Sequence, residues 1–382
     1  MHFSYHNPTK ILFGQQQISN IAQEIPLDKK VIVLYGGGSI KSNGVYQQVE
    51  QALSDHQWIE FSGIEPNPTK ETLDKAVALI KEQQADYILA VGGGSVIDGS
   101  KYVAASALYQ GDGWDILTGD YQIDDALPIG AVLTIPATGS ESNAGAVITN
   151  KALQTKLPFF SPKVQPQFAV LDPDTMKTLP QRQLANGVID AWVHTCEQFI
   201  TYPAGAMVQD GYALALLKAL KQLADNFEQQ DDQWRANLMW AANQALNGLI
   251  GSGVAQDWAT HMIGHELTAL WGTDHARSLS MIQPSLLRVT LESKKDKLEL
   301  LGKEVFGLAD ADDLAEQTIN AIEKLYLSLD MPIRVADYDT DQAQAIDNVL
   351  KQLKAHNMTA LGEHSRIDLD VSKRILDLAF AD

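Results

Sequence analysis

Runs of consecutive apolar residues alternate with amphipathic helical patterns along the first 180 residues. A continuous apolar run is typical of a parallel strand buried on both faces, and a 3.6-residue repeat is typical of a helix packed on such a sheet. Strands are predicted at 10–14, 30–35, 86–91, 130–135 and 167–171. Helices are predicted at about 45–56 and 69–84 and directly after Ser95. Strands that alternate with helices predict an α/β domain with a largely parallel sheet.

The pattern changes near residue 180, where glycine and proline become rare and helical repeats dominate. We place the boundary between Asp172 and Gln181. Helices are predicted at about 182–201, 206–226, 231–250, 256–271, 277–306, 311–329, 341–355 and 368–380. We therefore expect an α/β domain over residues 1–180 and an all-helical domain over residues 181–382.

The length of 382 residues agrees with two domains of ordinary size, and the net charge of −19 narrows the possible partners. So acidic a chain is not expected to bind nucleic acid or anionic membranes, and it must hold any phosphate-bearing ligand locally, by backbone amides and a few placed cations. No apolar run reaches the about 18 residues of a membrane span, and we expect no signal peptide. The single cysteine excludes an internal disulfide and fits a reducing cytoplasm.

Three of the nine histidines fall within nineteen residues of the second domain. His261 and His265 lie one helical turn apart on an apolar segment, and upstream Asp190 and His194 have the same spacing on another. Imidazoles in apolar helices need partners, and one metal ion can satisfy several at once. We therefore predict that these two helical segments, together with His275, bind one divalent cation. The ligands are Asp190, His194, His261 and His275, with His265 beside the metal.

Each part of this pattern has a plainer explanation. An isolated Asp/His pair at this spacing is usually a surface or capping pair, and an isolated HxxxH is more often an accident of buried histidines; the two together favour a metal site. Glu266 follows the second histidine, so the pattern is not the HExxH of zinc proteases. Cys196 is expected to lie in the core. Carboxylate and imidazole ligands suit Fe(II), Zn(II), Mn(II) or Co(II), and the sequence does not choose among them.

The glycine-rich loop from Gly92 through Gly93 and Gly94 to Ser95 lies between a predicted strand and a predicted helix. Glycines let a phosphate approach the backbone, and a helix N-terminus adds amide donors, so a diphosphate is the natural ligand. The loop is neither G-x-G-x-x-G nor a P-loop, because Ser100 breaks the required Gly-Lys pair. A tight turn with Ser95 as helix N-cap explains it nearly as well.

A second glycine-rich loop follows the predicted strand 30–35. NAD-binding folds often place an acidic residue near the adenosine ribose, where it repels a 2′-phosphate. This loop has no carboxylate, and it offers backbone space at Gly37 and Gly38, a hydroxyl at Ser39 and a cation at Lys41. We therefore expect NADP(H) rather than NAD(H). The alternative is a solvated turn with an ordinary surface lysine.

A stretch rich in threonine and serine follows the predicted strand 130–135. Thr134 and Thr138 are candidates for phosphate or ribose contacts, and Asn143 and Lys156 for the expected cleft between the domains. About half of such clusters merely cap helices and turns. Asp98, one turn into the helix after the first loop, is a candidate to bond either that loop or the cofactor.

These stretches together resemble the iron-containing (group III) alcohol dehydrogenases, specifically the branch of NADPH-dependent butanol dehydrogenases and aldehyde reductases. The resemblance extends over nearly the whole chain. It is carried by the segments Pro8–Gly14, Tyr35–Ser39, Gly63–Pro68, Ala90–Asp98, Leu133–Glu141, Val188–His194 and Asp257–His275. It implies a Rossmann-like parallel-sheet N-terminal domain, a helical metal-binding C-terminal domain as in dehydroquinate synthase-like folds, and a homodimer.

The resemblance also implies roles for single residues. The family's four ligand positions fall on the predicted ligands without departure, and the metal is Fe(II) or Zn(II). Its histidine near the substrate falls on His265. NAD-linked relatives often carry an acidic residue on the adenosine-side loop, and this chain does not. The cofactor-contact positions fall on Gly37, Gly38, Ser39, Gly93, Gly94, Ser95, Thr134, Thr138, Asn143 and Lys156.

Residues and resemblance together indicate a metal-dependent, NADP(H)-linked enzyme that interconverts short-chain primary alcohols and aldehydes by hydride transfer, acting mainly as an aldehyde reductase. A glycerol dehydrogenase-like polyol oxidoreductase is an alternative. A lyase of the dehydroquinate synthase type is another, although no basic cluster for a phosphorylated substrate is evident. A non-catalytic metal or ligand sensor is a third, against which the complete ligand set and both glycine loops count.

Overall fold

The computed structural model describes residues 1–336 and 340–381, and it divides into two compact units. We call the first the sheet unit; it consists of His6–Pro180 and Asp231–Asn243. We call the second the helical unit; it consists of Met1–Tyr5, Gln181–Gln230 and the described residues from Gln244 onward. In the part of the chain that the structure describes, no helix is long and apolar enough to cross a bilayer.

The sheet unit is built on six parallel strands and one antiparallel hairpin. The strands are β1 (Lys10–Phe13), β2 (Lys30–Tyr35), β3 (Gln57–Phe61), β4 (Tyr87–Gly93), β5 (Ile129–Ile135), β6 (Gly145–Asn150), β7 (Thr155–Phe160) and β8 (Phe168–Leu171). The parallel sheet has the order β1-β8-β5-β4-β2-β3, and β6 pairs with β7. The central strands are buried on both faces, as continuous apolar runs require. The predicted α/β class and all five predicted strands are confirmed.

Three strands of the sheet unit were not predicted: the edge strand β3 and the two strands of the β6–β7 hairpin. β3 lies at the edge of the sheet and is only half-buried, because Gln57 and Glu60 interrupt its apolar residues. The β6–β7 hairpin follows the threonine- and serine-rich stretch, whose composition indicates ligand contacts or turn caps rather than strands. Both elements place polar side chains beside the glycine loops.

The helices of the sheet unit connect its strands. They are α1 (Ile21–Glu24), α2 (Ser39–Ser42), α3 (Val45–Ala52), α4 (Lys70–Gln83), α5 (Gly94–Leu108) and α6 (Asp115–Thr118). Short 3-10 turns lie at Gln17–Asn20, Ser140–Ser142, Pro162–Val164 and Pro173–Met176. α5 is nearly all buried and follows β4 directly, so its N-terminus lies at the carboxyl end of that strand.

The remaining helices follow in chain order. They are α7 (Gln181–Phe199), α8 (Met207–Asp225), α9 (Asp232–Ala245), α10 (Ala259–Trp271), α11 (His275–Val289), α12 (Leu291–Phe306), α13 (Leu314–Ser328), α14 (Gln342–Ala355) and α15 (Leu369–Ala379). Most of α9 belongs to the sheet unit. Cys196 on α7 is buried in the core, as expected.

The single helix predicted over 277–306 is wrong, because the chain forms α11 and α12 with a break at Thr290. Thr290 leaves the helical region with φ −105° and ψ 14°, and its hydroxyl donates to the carbonyl of Leu286 at 2.8 Å. A threonine hydroxyl that bonds the preceding turn weakens helix continuation. The predicted helix 231–250 is also too long, since α9 ends at Ala245, before Gly248, where φ is +89°.

Candidate metal centre and nucleotide loops

Four side chains of the helical unit converge at one point. Asp190 and His194 lie one turn apart on α7, His261 lies in the first turn of α10, and His275 is the first residue of α11. One potential ligand atom from each lies within 4.8 Å of the others. Asp190 Oδ1 is 3.7 Å from His194 Nδ1 and 3.6 Å from His275 Nε2. The structure thus brings together the four residues predicted to be metal ligands.

The chemistry of these atoms fits a divalent cation. His194 Nδ1 and His261 Nε2 are buried and have no hydrogen-bond partner among the described residues, an arrangement that is costly without a ligand. Burial and the neighbouring His261 hold the pKa of His194 well below its ordinary value, so the ring is neutral. One carboxylate oxygen and three imidazole nitrogens form a donor set for Fe(II) or Zn(II).

Glu197 supports this cluster and was missed by the sequence analysis. It lies on α7, three residues after His194, and is buried. Its Oε2 accepts a hydrogen bond from His261 Nδ1, and its Oε1 accepts from the backbone N–H of Thr260 at 2.7 Å. A carboxylate on one ring nitrogen fixes the tautomer and directs the other nitrogen to the metal. An acidic residue within the apolar sequence of α7 was the signal available.

His265 lies beside the cluster. It is one turn beyond His261 on α10 and is buried. Its ring centroid is 6.1 Å from that of His261 and 5.2 Å from that of His275. It is not part of the four-residue set whose ligand atoms converge. The structure thus places His265 next to the four predicted ligands.

A group of buried charges lies at the start of α10, and we call Lys294, Asp257 and Glu363 the Lys294 cluster. The Nζ atom of Lys294 donates to Asp257 Oδ2 at 2.6 Å, to the carbonyl of Ile200 at 2.9 Å and to both carboxylate oxygens of Glu363 at 3.0 and 3.1 Å. All three side chains are at most 4% exposed. Burial and the adjacent Asp257 raise the pKa of Glu363 to about 7, whereas the Lys294 ammonium keeps the pKa of Asp257 below its ordinary value.

This raised pKa predicts a pH dependence of stability. Folding favours protonated Glu363, so its contribution is fully present below pH 4.5 and is lost as the pH rises through about 7. Between pH 5 and pH 8, wild-type protein should lose about 1–2 kcal/mol more of its free energy of unfolding than Glu363→Gln, allowing for partial screening. Urea unfolding at both pH values measures the difference. The exposed Glu292→Gln is the control, and equal losses in wild type and Glu363→Gln would contradict the prediction.

The loop after β2 presents open backbone. Gly38 has a φ of +97°, and nothing lies within 4 Å of a Cβ built on Gly37 or Gly38. Ser39 begins α2, and Lys41 is exposed on that helix. A ligand can therefore approach the main chain closely, with a hydroxyl and a cation nearby.

Glu60 lies next to this loop although the loop itself carries no carboxylate. Its Oε1 accepts from Lys41 Nζ at 3.2 Å, and its Oε2 accepts from the Tyr35 hydroxyl at 3.1 Å. The Lys41 ammonium also lies 4.5 Å from the ring centroid of Tyr46. β3 is parallel to β2, so a residue distant in sequence arrives beside the loop. Lys41 is therefore a paired cation rather than an isolated one.

The loop between β4 and α5 is tightly packed. A Cβ on Gly94 would lie 2.4 Å from Thr138 Oγ1, so glycine is needed there. Gly93 ends β4, and Ser95 is the second residue of α5, so the alternative interpretation of Ser95 as the helix N-cap is wrong. The Ser95 hydroxyl accepts from the backbone N–H of Asn67 at 3.3 Å. The N-terminus of this buried 15-residue helix remains a candidate for a diphosphate.

Asp98 is engaged within the protein. Its Oδ1 accepts from the Ser140 hydroxyl at 2.5 Å, and its Oδ2 accepts from the backbone N–H of Val147 at 2.9 Å. Burial raises its pKa. These bonds favour a role in holding the chain after β5 over direct contact with a cofactor.

The other predicted contact residues lie on or after β5. Thr134 is a buried residue of β5. Thr138 Oγ1 and Asn143 Oδ1 each accept a backbone N–H two residues on, at 3.2 and 3.0 Å. Lys156 is buried on β7, and its Nζ donates to Asn67 Oδ1 at 2.8 Å. Asn67 thus contacts Lys156 as well as the β4–α5 loop.

Lys101 binds the segment that follows β5, and the sequence analysis missed it. It lies on α5 and is fully buried. Its Nζ donates to Ser140 Oγ at 2.8 Å, to Asn143 Oδ1 at 3.1 Å and to the carbonyl of Gly145 at 2.6 Å. Burial lowers its pKa to about 8. A lysine within an apolar helical segment was the only local signal.

Family models match both halves of the chain. Residues 8–173 match the model described as iron-containing alcohol dehydrogenase, and residues 184–365 match the Fe-containing alcohol dehydrogenase family, C-terminal. Over 384 aligned residues the chain is 48% identical to the NADPH-dependent aldehyde reductase YqhD of Escherichia coli K12, with 99% of each covered. It is 38% identical to the probable NADH-dependent butanol dehydrogenase 1 of Bacillus subtilis, covering 93% of this chain and 94% of the relative.

Solved structures show the same similarity. The crystal structure of Escherichia coli YqhD superimposes with a TM-score of 0.96 at 48% identity, covering 99% of this chain and 98% of that one. The NADH-dependent butanol dehydrogenase A of Thermotoga maritima superimposes with a TM-score of 0.94 at 34% identity, covering 100% and 99%. The fold and family expected from the sequence are confirmed. The relatives are named for different cofactors, since the name of YqhD gives NADPH and that of the Bacillus subtilis protein gives NADH.

Proposed function

The chain belongs to the iron-containing alcohol dehydrogenase family, and from this premise we propose that it is a metal-dependent, NADP(H)-linked oxidoreductase. It interconverts short-chain primary alcohols and aldehydes, and aldehyde reduction is its working direction. The observation that carries the proposal is the convergence of one carboxylate and three imidazoles within 4.8 Å, in a chain 48% identical to an aldehyde reductase. These relatives favour neither the polyol oxidoreductase nor the non-catalytic sensor.

Asp190, His194, His261 and His275 would hold the metal, Fe(II) or Zn(II). Bound there, the metal supplies a Lewis acid for the substrate oxygen, and bound NADPH supplies the hydride. Glu197 keeps the Nδ1 atom of His261 occupied, so that its Nε2 faces the cluster. Burial of Asp190, His194 and His261 lowers the local dielectric, which strengthens their interaction with a cation.

The sheet unit would bind the dinucleotide largely through its backbone. Main-chain amides at the start of α5 suit the diphosphate, and open backbone after β2 suits the adenosine side. Lys41, exposed beside this loop and paired with Glu60, would supply the cation for a 2′-phosphate in a chain whose net charge is −19. The proposed contact residues are Gly37, Gly38, Ser39, Lys41, Gly93, Gly94, Ser95, Thr134, Thr138, Asn143 and Lys156, with Asp98 positioning the segment after β5.

Reduction of an aldehyde also requires a proton on the product oxygen. We assign to His265 the holding or relay of that proton. Its ring lies within 6.1 Å of two proposed ligand rings, centroid to centroid, without being part of their set. A positioned histidine is the commonest general acid in proteins.

The proposed reaction is tested by metal analysis of anaerobically purified protein combined with NADPH oxidation assays. Butanal, methylglyoxal and the reverse oxidation of glycerol separate an aldehyde reductase from a polyol oxidoreductase. We expect bound iron or zinc and turnover of the aldehydes. Bound metal without turnover of any of these substrates would favour the sensor.

Cofactor preference is tested by Ser39→Asp. A carboxylate at the end of the open loop should repel a 2′-phosphate, and like charges in contact cost several kcal/mol. We expect the KM for NADPH to rise by at least about 10-fold and the KM for NADH to change by less than about 3-fold. Ser39→Asn supplies similar volume without charge and is the control. Equal effects on both cofactors would remove the argument for NADP(H).

We also propose that the protein is a homodimer that acts in the cytoplasm. The dimer rests on the family resemblance, and the reducing compartment on a single buried cysteine. Light scattering of the purified protein at several concentrations tests the assembly. A monomer at all concentrations would contradict it.

A further inference from the structure

The Lys294 cluster has no part in the proposed reaction, yet it buries an ammonium group and two carboxyl groups in the helical unit. Burying charges is costly even when they are paired, and apolar residues of the same volume often serve stability equally well. A buried ion cluster is therefore better explained by its fixing one conformation of the chain than by added stability. The contacts of this cluster show which arrangement that is.

A short path of bonds leads from Lys294 to the metal centre. Asp257, bound to Lys294 through Oδ2, uses its Oδ1 to accept the backbone N–H of Ala259, the first residue of α10, at 2.8 Å. The backbone N–H of Asp257 donates to the carbonyl of Glu197 at 2.8 Å. The Glu197 carboxylate in turn binds the ring of His261. Asp257 and Glu197 therefore hold the start of α10 from both sides.

The entry into α10 needs such support. Trp258, between Asp257 and Ala259, has a φ of +61° and a ψ of 3°, a left-handed conformation that is unfavourable for a large side chain. Such residues persist only where the surrounding structure over-determines them. The Trp258 ring also meets the His261 ring edge to face at 5.3 Å, so a shift at Trp258 reaches the ligand.

We propose that Lys294 is a positioning residue for the metal centre. Its ammonium holds the Asp257 carboxylate, and Asp257 with Glu197 fixes the first turn of α10 and so the direction of the His261 ring. Glu363 completes the cluster from the loop before α15. The proposal rests on the metal site of the proposed function and extends it to a residue that touches neither metal ligand nor substrate.

The same helix provides a matched control. Lys297 also lies on α12, and its side chain is 8% exposed. Its Nζ pairs with Asp210 Oδ1 at 2.5 Å and lies 4.5 Å from the ring centroid of Phe199. Lys297→Met therefore removes a largely buried lysine from α12 without touching Asp257. Loss of stability alone should be shared by both methionine variants.

The test measures Co(II) affinity of metal-free, full-length protein by competition with a chelator, together with the visible absorption of bound Co(II). We expect Lys294→Met to weaken Co(II) binding about 10–100-fold, as loss of an outer partner of a ligand does, and to alter the absorption band. Lys297→Met should stay within about 3-fold of wild type with the wild-type band. Thermal unfolding of the metal-free proteins separates stability from affinity.

Wild-type affinity and absorption in Lys294→Met would overturn the proposal. If that variant does not fold, Asp257→Asn replaces it, since the amide retains an acceptor for Ala259 and loses the charge that binds Lys294. It should bind Co(II) at least about 10-fold more weakly, and wild-type binding would again overturn the proposal. Failure of the wild-type protein to bind Co(II) would overturn the proposed function too, whereas wild-type binding with unaffected variants overturns only the positioning role.

Discussion

Replacing His261 with alanine is expected to remove stable metal binding and reductase activity together. The change deletes one of three converging imidazoles and leaves the buried Glu197 carboxylate without its ring partner. Loss of an outer partner of a ligand costs about 10–100-fold in affinity or activity, so loss of the ligand itself should exceed about 100-fold. Metal content of anaerobically purified protein and NADPH oxidation with butanal measure the two effects.

The exposed His2→Ala is the control for removal of a histidine from the helical unit. It should retain metal and activity. His261→Ala protein that unfolds cooperatively but carries metal at the wild-type level would refute the ligand role of His261. Added metal that restores activity to the variant at high concentration would instead show weakened binding, as expected for a site with three remaining ligands.

The sheet unit was predictable where the chain's local pattern and its tertiary burial agree. β2, β4 and β5 are apolar throughout because both of their faces are covered, and such runs are visible in sequence. β3 was missed because an edge strand keeps polar residues such as Glu60. The break at Thr290 was missed because the position carries neither glycine nor proline, and a single threonine is compatible with a helical pattern.

The candidate metal site was predictable because two of its members repeat at helical spacing within apolar segments. Asp190 and His194 share a face of α7, His261 has the same spacing to His265 on α10, and the structure brings these predicted ligands together with the predicted His275. Their supporting residues carry no such spacing. Glu197 was missed because its partner His261 lies 64 residues away in sequence. Lys294 contacts Asp257 only in the folded chain, at a separation of 37 residues. Contacts at that distance depend on how helices pack, which no local pattern records.

His265 lies beside the proposed metal ligands, and we propose that it carries a proton rather than binding the metal. It shares α10 with His261, and its ring lies 5.2 Å from that of His275, centroid to centroid. Its atoms are not among the four that converge. Loss of a histidine in this position should therefore leave the cation in place and affect the step in which the product oxygen gains a proton.

His265→Ala is accordingly expected to retain metal and a near-normal KM for NADPH while kcat for aldehyde reduction falls by about 10²–10⁴-fold, the usual contribution of a positioned acid or base. Steady-state kinetics with metal analysis measures this. The control is His356→Ala, which removes a histidine whose side chain is 8% exposed and which binds Glu266, the residue after His265, at 2.8 Å. Loss of metal from His265→Ala would mean that His265 is a ligand, and an unchanged kcat would exclude it from the proton path.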